Sequence, residues 1–224
     1  RFLLEKTAFL SLSDMGKALP SYEEIPIACR MDEAVQSEYK RIENALVRVL
    51  RSDRRVAQKI LSAYLNLLTV YPDQPYDQKP ILYPDSDVPI VEPENIGDAD
   101  TLGEKEQRTL EIVRAAIQNG ERALIYTSWV RTDSQQKLKK LLTDEGYRTE
   151  ILTDKIKTTD REDWVQKKLA SGMQVLIVNP SLVETGLDLN AFTTLVFYSM
   201  GYKLFTLRQA SRRSWRINQK APAV

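Results

Sequence analysis

The chain has 224 residues, 42% of them hydrophobic and 28% charged, the composition of an ordinary soluble globular protein. It opens at Arg1 rather than Met, which reads as a fragment or processed product holding one large domain with an elaboration. One cysteine and no histidine exclude a disulfide framework and argue against a zinc site or a histidine-based triad or general base. No apolar run approaches the ~18 residues of a membrane helix and no signal peptide opens the chain, so no membrane association and a cytoplasmic location are expected.

In chain order, residues 22–30 read as a short extended segment with Ile25, Ile27 and Cys29 on one face, Cys29 as a small core residue, and Pro26 marking an edge. Asp32 reads as a helix N-cap. Val35, Tyr39, Ile42, Leu46 and Val49 follow at helical spacing to about Asp53, and a second helix is predicted over 55–70. Residues 71–100 hold six of the ten prolines and eight acids against one lysine, the composition of a long surface loop or linker. A helical pattern resumes over Glu104–Asn119. From Arg122 onward, apolar runs (122–126, 148–152, 174–178 and 195–198) alternate with helical stretches (134–145, about 160–170 and 203–214). That alternation predicts an α/β fold with right-handed crossovers and a mainly parallel sheet. The divisions are residues 1–70 for the extended segment and helical pair, 71–103 for the proline-rich acidic loop or insertion, and 104–224 for the α/β core.

Charge is unevenly spread. Residues 1–100 carry 12 Lys+Arg against 17 Asp+Glu, and residues 101–224 carry 20 against 14. Residues 201–220 hold six basic residues and no acid, which points an anionic partner to the C-terminal half. In a parallel sheet, ligands gather at the carboxyl ends of the strands. Three loops should meet there: Thr127-Ser128-Trp129, Asn179-Pro180-Ser181 running on to Glu184-Thr185-Gly186-Leu187-Asp188, and Ser199–Tyr202 leading into the basic helix. Gln209, Arg212, Arg213 and Arg216 recur at helical spacing, and no Asp or Glu lies in 189–224 to pair with them. Their planar guanidinium forks suit bidentate phosphate contact. Gly186 would let backbone approach a ligand, the Thr185 hydroxyl suits a phosphate oxygen, and Asp188 suits a ribose hydroxyl; a simple turn explains the same residues. Trp129 and Trp164 read as packing residues, with Trp215 open to either packing or stacking.

The order of these segments resembles the Swi/Snf-related helicase-like ATPases of superfamily two. Gln209–Gln219 (QASRRSWRINQ) resembles their motif VI, Gln-x-x-Gly-Arg-x-x-Arg-x-Gly-Gln, with Arg212 and Asn218 standing where the family has Gly. Asn179–Leu189 resembles motif V, with Glu184-Thr185 in place of a Gly pair and Asp188 in place of Asn. Leu124–Trp129 resembles motif IV, and the stretch from Leu19-Pro20 to Tyr39 resembles the opening of the family's second lobe. The resemblance implies a RecA-like C-terminal lobe with helices on both faces of its sheet plus the N-terminal helical elaboration. It implies ATP and Mg2+ held mainly by an N-terminal RecA-like lobe absent from this chain, with Arg213 and Arg216 as catalytic arginine fingers. Gln209, Gly186 and Asp188 would lie against the nucleotide, and Thr127, Ser128, Ser181, Glu184 and Thr185 against nucleic acid, DNA first and RNA as the alternative. No phosphate loop G-x-x-x-x-G-K-[ST] occurs and no Asp-Glu pair follows an apolar strand, so the chain alone is expected not to hydrolyse ATP. Two other readings remain open: a non-catalytic nucleic-acid-binding or interaction module, and an α/β enzyme using a nucleotide-sugar.

Overall fold

The computed structural model describes residues 23–128, 134–183 and 187–201. The expected helix over 203–214, with Gln209, Arg213 and Arg216, lies outside them, as do Trp129, Trp215 and Glu184–Gly186.

Four strands form the central sheet, and every pairing in it is parallel. The strands are β1 Ile81–Leu82, β2 Pro89–Val91, β3 Ala123–Thr127, β4 Thr149–Leu152, β5 Val175–Val178 and β6 Thr194–Ser199, the last four forming the central sheet. The helices are α1 Glu33–Ser52, α2 Arg54–Val70, α3 Glu104–Gln118, α4 Ser134–Asp144 and α5 Arg161–Ala170. The spatial order of the sheet is β4-β5-β3-β6. The chain therefore leaves the centre at β3, turns back at β4 and returns through β5. With right-handed crossovers, that reversal puts α4 and α5 on opposite faces.

The apolar runs split cleanly between those faces, because neighbouring strand residues point opposite ways. Leu124, Tyr126, Leu152, Leu176 and Val178 pack on the α5 side with Val165, Met173 and Phe192. Ala123, Ile125, Ile151, Val175, Ile177 and Tyr198 pack on the other side with Val113 of α3 and Leu138 and Leu142 of α4. The Tyr126 and Phe197 rings stack with centroids 5.1 Å apart, and Trp164 packs against the α5-side cluster. All of β3 and β5 is buried, which is why those runs read as continuous rather than alternating.

The helical pair has its own core. Val35, Ile42, Leu46 and Val49 of α1 meet Ala57, Ile60, Tyr64 and Leu67 of α2. Asp53 separates the two helices, and its carboxylate caps α2 by accepting from the backbone N–H of Arg55 and Val56 (2.9 and 3.1 Å). The buried Tyr64 hydroxyl donates to the Ile42 carbonyl at 2.5 Å.

Three findings depart from the expectations. Residues 71–100 are not a bare loop: β1 and β2 pair antiparallel there, and Tyr71, Ile81 and Val91 join the core of the helical pair. The Glu38 and Arg41 side chains hold this return segment, Glu38 Oε1 accepting from Glu94 N (2.9 Å) and Arg41 Nη2 donating to the Glu92 carbonyl (2.6 Å). Such contacts between distant residues leave no trace in local composition. The extended segment from Glu23 pairs with no strand among the described residues, and Ile25 and Ile27 remain exposed. Cys29 is likewise an exposed free thiol, not a core residue. Pro26 removes one donor from this stretch, and the Arg30 N–H donates to Glu104 Oε2 of α3 at 2.8 Å. No described helix is long and apolar enough to cross a membrane.

Candidate nucleotide and nucleic-acid site

Strands β3, β5 and β6 run parallel and end side by side, so the segments leaving them share one rim. Ser128, one residue beyond β3, sits at its centre. Its backbone N–H donates to Ser199 Oγ (2.9 Å), its hydroxyl donates to the Ser199 carbonyl (2.9 Å), and the same hydroxyl accepts from Gly201 N (2.9 Å). The β3 and β6 ends are thereby tied together. Asn179 ties in β5. Its amide donates to the Ser128 carbonyl (3.1 Å), and its Oδ1 accepts from both the N–H and the hydroxyl of Ser181 (2.9 and 2.6 Å). The Asn179-Pro180 sequence favours this arrangement, with Asn capping a single 3-10 turn over Pro180–Leu182.

Thr127 is fully buried, its hydroxyl accepting from Gln135 Nε2 at 2.7 Å. It therefore meets a ligand only through its neighbours. The first turn of α5 contacts both Leu182 and Asp188. Arg161 Nη1 donates to the Leu182 carbonyl (2.8 Å), and Glu162 Oε2 accepts from Asp188 N (3.0 Å). Asp188 in turn accepts from Asn190 N at 3.1 Å, and Leu187 and Leu189 on either side are buried. Ser128, Ser181 and Asp188 thus belong to one connected edge. Asn179, Arg161 and Glu162 are the residues that organise it; the sequence places Asn179 in the converging loop without giving it a role, and does not single out Arg161 or Glu162. A side-chain acceptor directly before Pro180 is the one local signal that marks Asn179.

Behind this rim lies a buried ionic network. Helix α3 runs antiparallel to β3, so its first turn stands level with the strand ends. Glu106, at 5% exposure, receives Lys137 Nζ of α4 (2.9 Å) and the Tyr198 hydroxyl of β6 (2.8 Å) on Oε1. Its Oε2 accepts from Gly103 N (3.0 Å), which caps α3 although Gly103 has no side chain to return the bond. Next to it, Lys105 Nζ bonds Asp73 Oδ1 at 2.5 Å and lies 4.4 Å from the centre of the Tyr198 ring. Asp73 follows α2, so the helical pair is anchored at this same level of the sheet.

The two carboxylates are shifted in opposite directions. Burial pushes Asp73 above the ordinary carboxylate range, and Lys105 only partly offsets it. Burial also pushes Glu106 upward, but the hydrogen bond and charge of Lys137, with the Tyr198 hydroxyl, outweigh it and leave the group below its usual value. Burial and the adjacent carboxylates raise Tyr198, which stays a neutral donor. The signs differ accordingly. A raised carboxyl favours folding below its unfolded pKa and loses that contribution as pH rises through its folded value. Asp73→Asn, which mimics the protonated form, should therefore cost no stability at pH 7 and may be measured by urea unfolding against the parent chain. A loss above about 1 kcal/mol would show that the charged Asp73–Lys105 pair is net stabilising instead.

No curated protein sequence matches the chain. The helicase conserved C-terminal domain family matches residues 104–218. Among solved structures, the C-terminal part of the Fun30 ATPase domain is similar, with a TM-score of 0.67 at 13% identity over 92% of this chain and 84% of that one. The Sulfolobus solfataricus SWI2/SNF2 ATPase core in complex with dsDNA gives 0.67 at 19% identity, covering 91% of this chain and 40% of that one. The C-terminal domain of the S. solfataricus SWI2/SNF2 ATPase gives 0.60 at 16% identity over 80% and 72%. The chain thus spans less than half of the ATPase core it resembles. At these identities the likeness is one of fold: a parallel sheet flanked by helices, as in the RecA-like C-terminal domains of SWI2/SNF2 ATPases. The match from the start of α3 through the basic C-terminal stretch settles the family: this chain belongs to the helicase conserved C-terminal domain proteins.

Proposed function

We propose that the chain is the C-terminal motor lobe of an ATP-dependent nucleic-acid translocase or helicase-like protein. The observation that carries this reading is the family match itself, which runs through Gln209, Arg213 and Arg216 as well as the sheet. The nucleotide would lie between this lobe and an N-terminal RecA-like lobe of the same protein, which would hold most of the ATP and the Mg2+. This chain's part would be directed at the phosphates through its basic C-terminal residues. Bound ATP supplies the phosphoryl group for transfer. Arg213 and Arg216 supply cationic charge to it, with Gln209, Gly186 and Asp188 against the nucleotide.

On the rim, Ser128 and Ser181, with Glu184 and Thr185, would take the nucleic-acid backbone. Thr127 would support them from beneath. The Ser128 and Ser181 donors are held by Ser199 and Asn179 in this structure, so a phosphate oxygen would take the place of those acceptors; such contacts position a phosphate chain without reading its sequence. DNA is the preferred partner: the similar S. solfataricus core was solved with dsDNA. Closure of the two lobes on ATP and their reopening would shift the lobe along the strand.

The experiment is ATP turnover with and without duplex DNA. The full-length protein is expected to hydrolyse ATP, faster with DNA, while residues 1–224 alone show no turnover above buffer. DNA-stimulated turnover by the isolated chain would overturn the division of labour between lobes.

A further inference from the structure

We infer that the tip of the helical pair is a second contact for the phosphate backbone of duplex nucleic acid, separate from the strand-end rim. Five cations, Arg48, Arg51, Arg54, Arg55 and Lys59, fall within twelve residues around the α1–α2 junction, and Asp53 is the one acid among them. Every one of the five is exposed. They stand out because residues 1–100 otherwise carry an excess of acid.

The local arrangement works against folding rather than for it. Arg48 and Arg51 are three apart on α1, and Arg55 and Lys59 are four apart on α2, so each pair places like charges side by side on a helix. Such pairs destabilise by roughly 0.2–0.5 kcal/mol. The first turn of α2 holds Arg54 and Arg55 and no acid, where the backbone dipole repels cations. Asp53 caps α2 through Oδ1 and forms no ion pair with these cations, so one carboxylate stands against five positive charges. Among the described residues, Lys59 pairs with Asp85 (3.2 Å), while no carboxylate lies within ion-pair distance of Arg48, Arg51, Arg54 or Arg55. Four arginines maintained against mutual repulsion fit a polyanion with regularly spaced charges.

The fold also sets the reach of the tip. Asp73, just past α2, is fixed at the level of the strand ends by Lys105. The tip stands one 17-residue helix away from that anchor, about 25 Å at 1.5 Å per residue. A duplex held at the rim could be held again at that distance, which would lengthen the footprint of the lobe without adding any sequence readout. The inference rests on the nucleic-acid reading of the rim.

The test uses the full-length protein with a random-sequence 30-base-pair duplex, followed by fluorescence anisotropy between 50 and 200 mM salt. Arg51→Glu/Arg55→Glu removes two cations, and Arg51→Gln/Arg55→Gln is the milder variant. Each lost phosphate contact lowers the salt slope by about 0.9, so the slope should fall by about 2 and affinity at 100 mM salt by at least about tenfold. ATP turnover at saturating duplex should be unchanged, and thermal stability unchanged or higher because like-charge pairs are removed. Parent-like affinity and slope in both variants would overturn the tip assignment and leave the rim reading standing. Loss of binding to acidic polypeptides or anionic vesicles, with duplex binding intact, would overturn it equally. A parent protein that binds no duplex would instead sink the reading of the rim, and the tip with it.

Discussion

Glu106→Ala is expected to cost roughly 3–5 kcal/mol, the usual penalty for orphaning one member of a buried ion pair. Lys137, with its side chain 7% exposed, would lose the carboxylate that answers it. The Tyr198 hydroxyl would lose its acceptor and Gly103 N its cap. For a domain of this size, such a loss lowers Tm by on the order of 10 °C. Glu106→Gln keeps the shape and one acceptor, and should cost less. Removing both charges with Glu106→Gln/Lys137→Met should recover a substantial part of the loss, because the penalty is mostly that of an unanswered charge. The pH dependence gives an independent check. Glu106 lies below its ordinary value when folded, so its contribution is present above the unfolded pKa and fades as pH falls through the folded one. The stability gap between parent and Glu106→Gln should therefore close on acidification, starting below about pH 4.5. Equal chemical-denaturation midpoints for the parent and Glu106→Ala at pH 7 would contradict the whole account of this network.

The same residues show what could be read from the sequence and what could not. Val175–Val178 is buried on both faces, so its apolar run announced a central strand directly. The helices of the pair were legible because Ile42, Leu46, Ile60, Tyr64 and Leu67 keep helical spacing and meet in one core. Glu106 had no such signature. It occupies the first turn of a polar-looking helix, where an acid is ordinary, and its partner Tyr198 lies 92 positions away. Strands β1 and β2 were missed because they have only two and three residues, carry four of the chain's prolines in and around them (Pro80, Pro84, Pro89 and Pro93), and depend on Glu38 and Arg41 for their place. At the rim, convergence of Ser128, Ser181 and Asp188 followed from topology, since parallel strands deliver their outgoing loops to one edge. The Asn179 bridge depends on the register between β3 and β5, which composition does not encode. The buried Thr127 hydroxyl is answered by Gln135, in the first turn of a helix whose orientation the sequence leaves open.

The C-terminal arginines carry the largest expected effect on activity. In the full-length protein, Arg213→Ala or Arg216→Ala should lower kcat for ATP hydrolysis by about a thousandfold or more, the range a finger arginine contributes to a loose phosphoryl-transfer transition state. That corresponds to at least ~4 kcal/mol of barrier. The charge matters most in the transition state, so KM for ATP should move far less than kcat. Lysine at either position should restore little, because a compact ammonium cannot reproduce the planar fork. The double variant should fall only slightly below the worse single one, as expected of groups acting on the same oxygens. Arg212 supplies the internal control: it stands where the resembling motif has glycine, and Arg212→Gly should leave turnover within a few-fold of the parent. Duplex affinity without nucleotide should persist in the Arg213 and Arg216 variants, since the proposed nucleic-acid contacts lie at Ser128, Ser181, Glu184 and Thr185 and not at these arginines. Turnover near the parental rate in both alanine variants would remove the finger assignment. Equal losses in Arg212→Gly and Arg213→Ala would point instead to a general cationic patch, with no single guanidinium aligned on the transferring group.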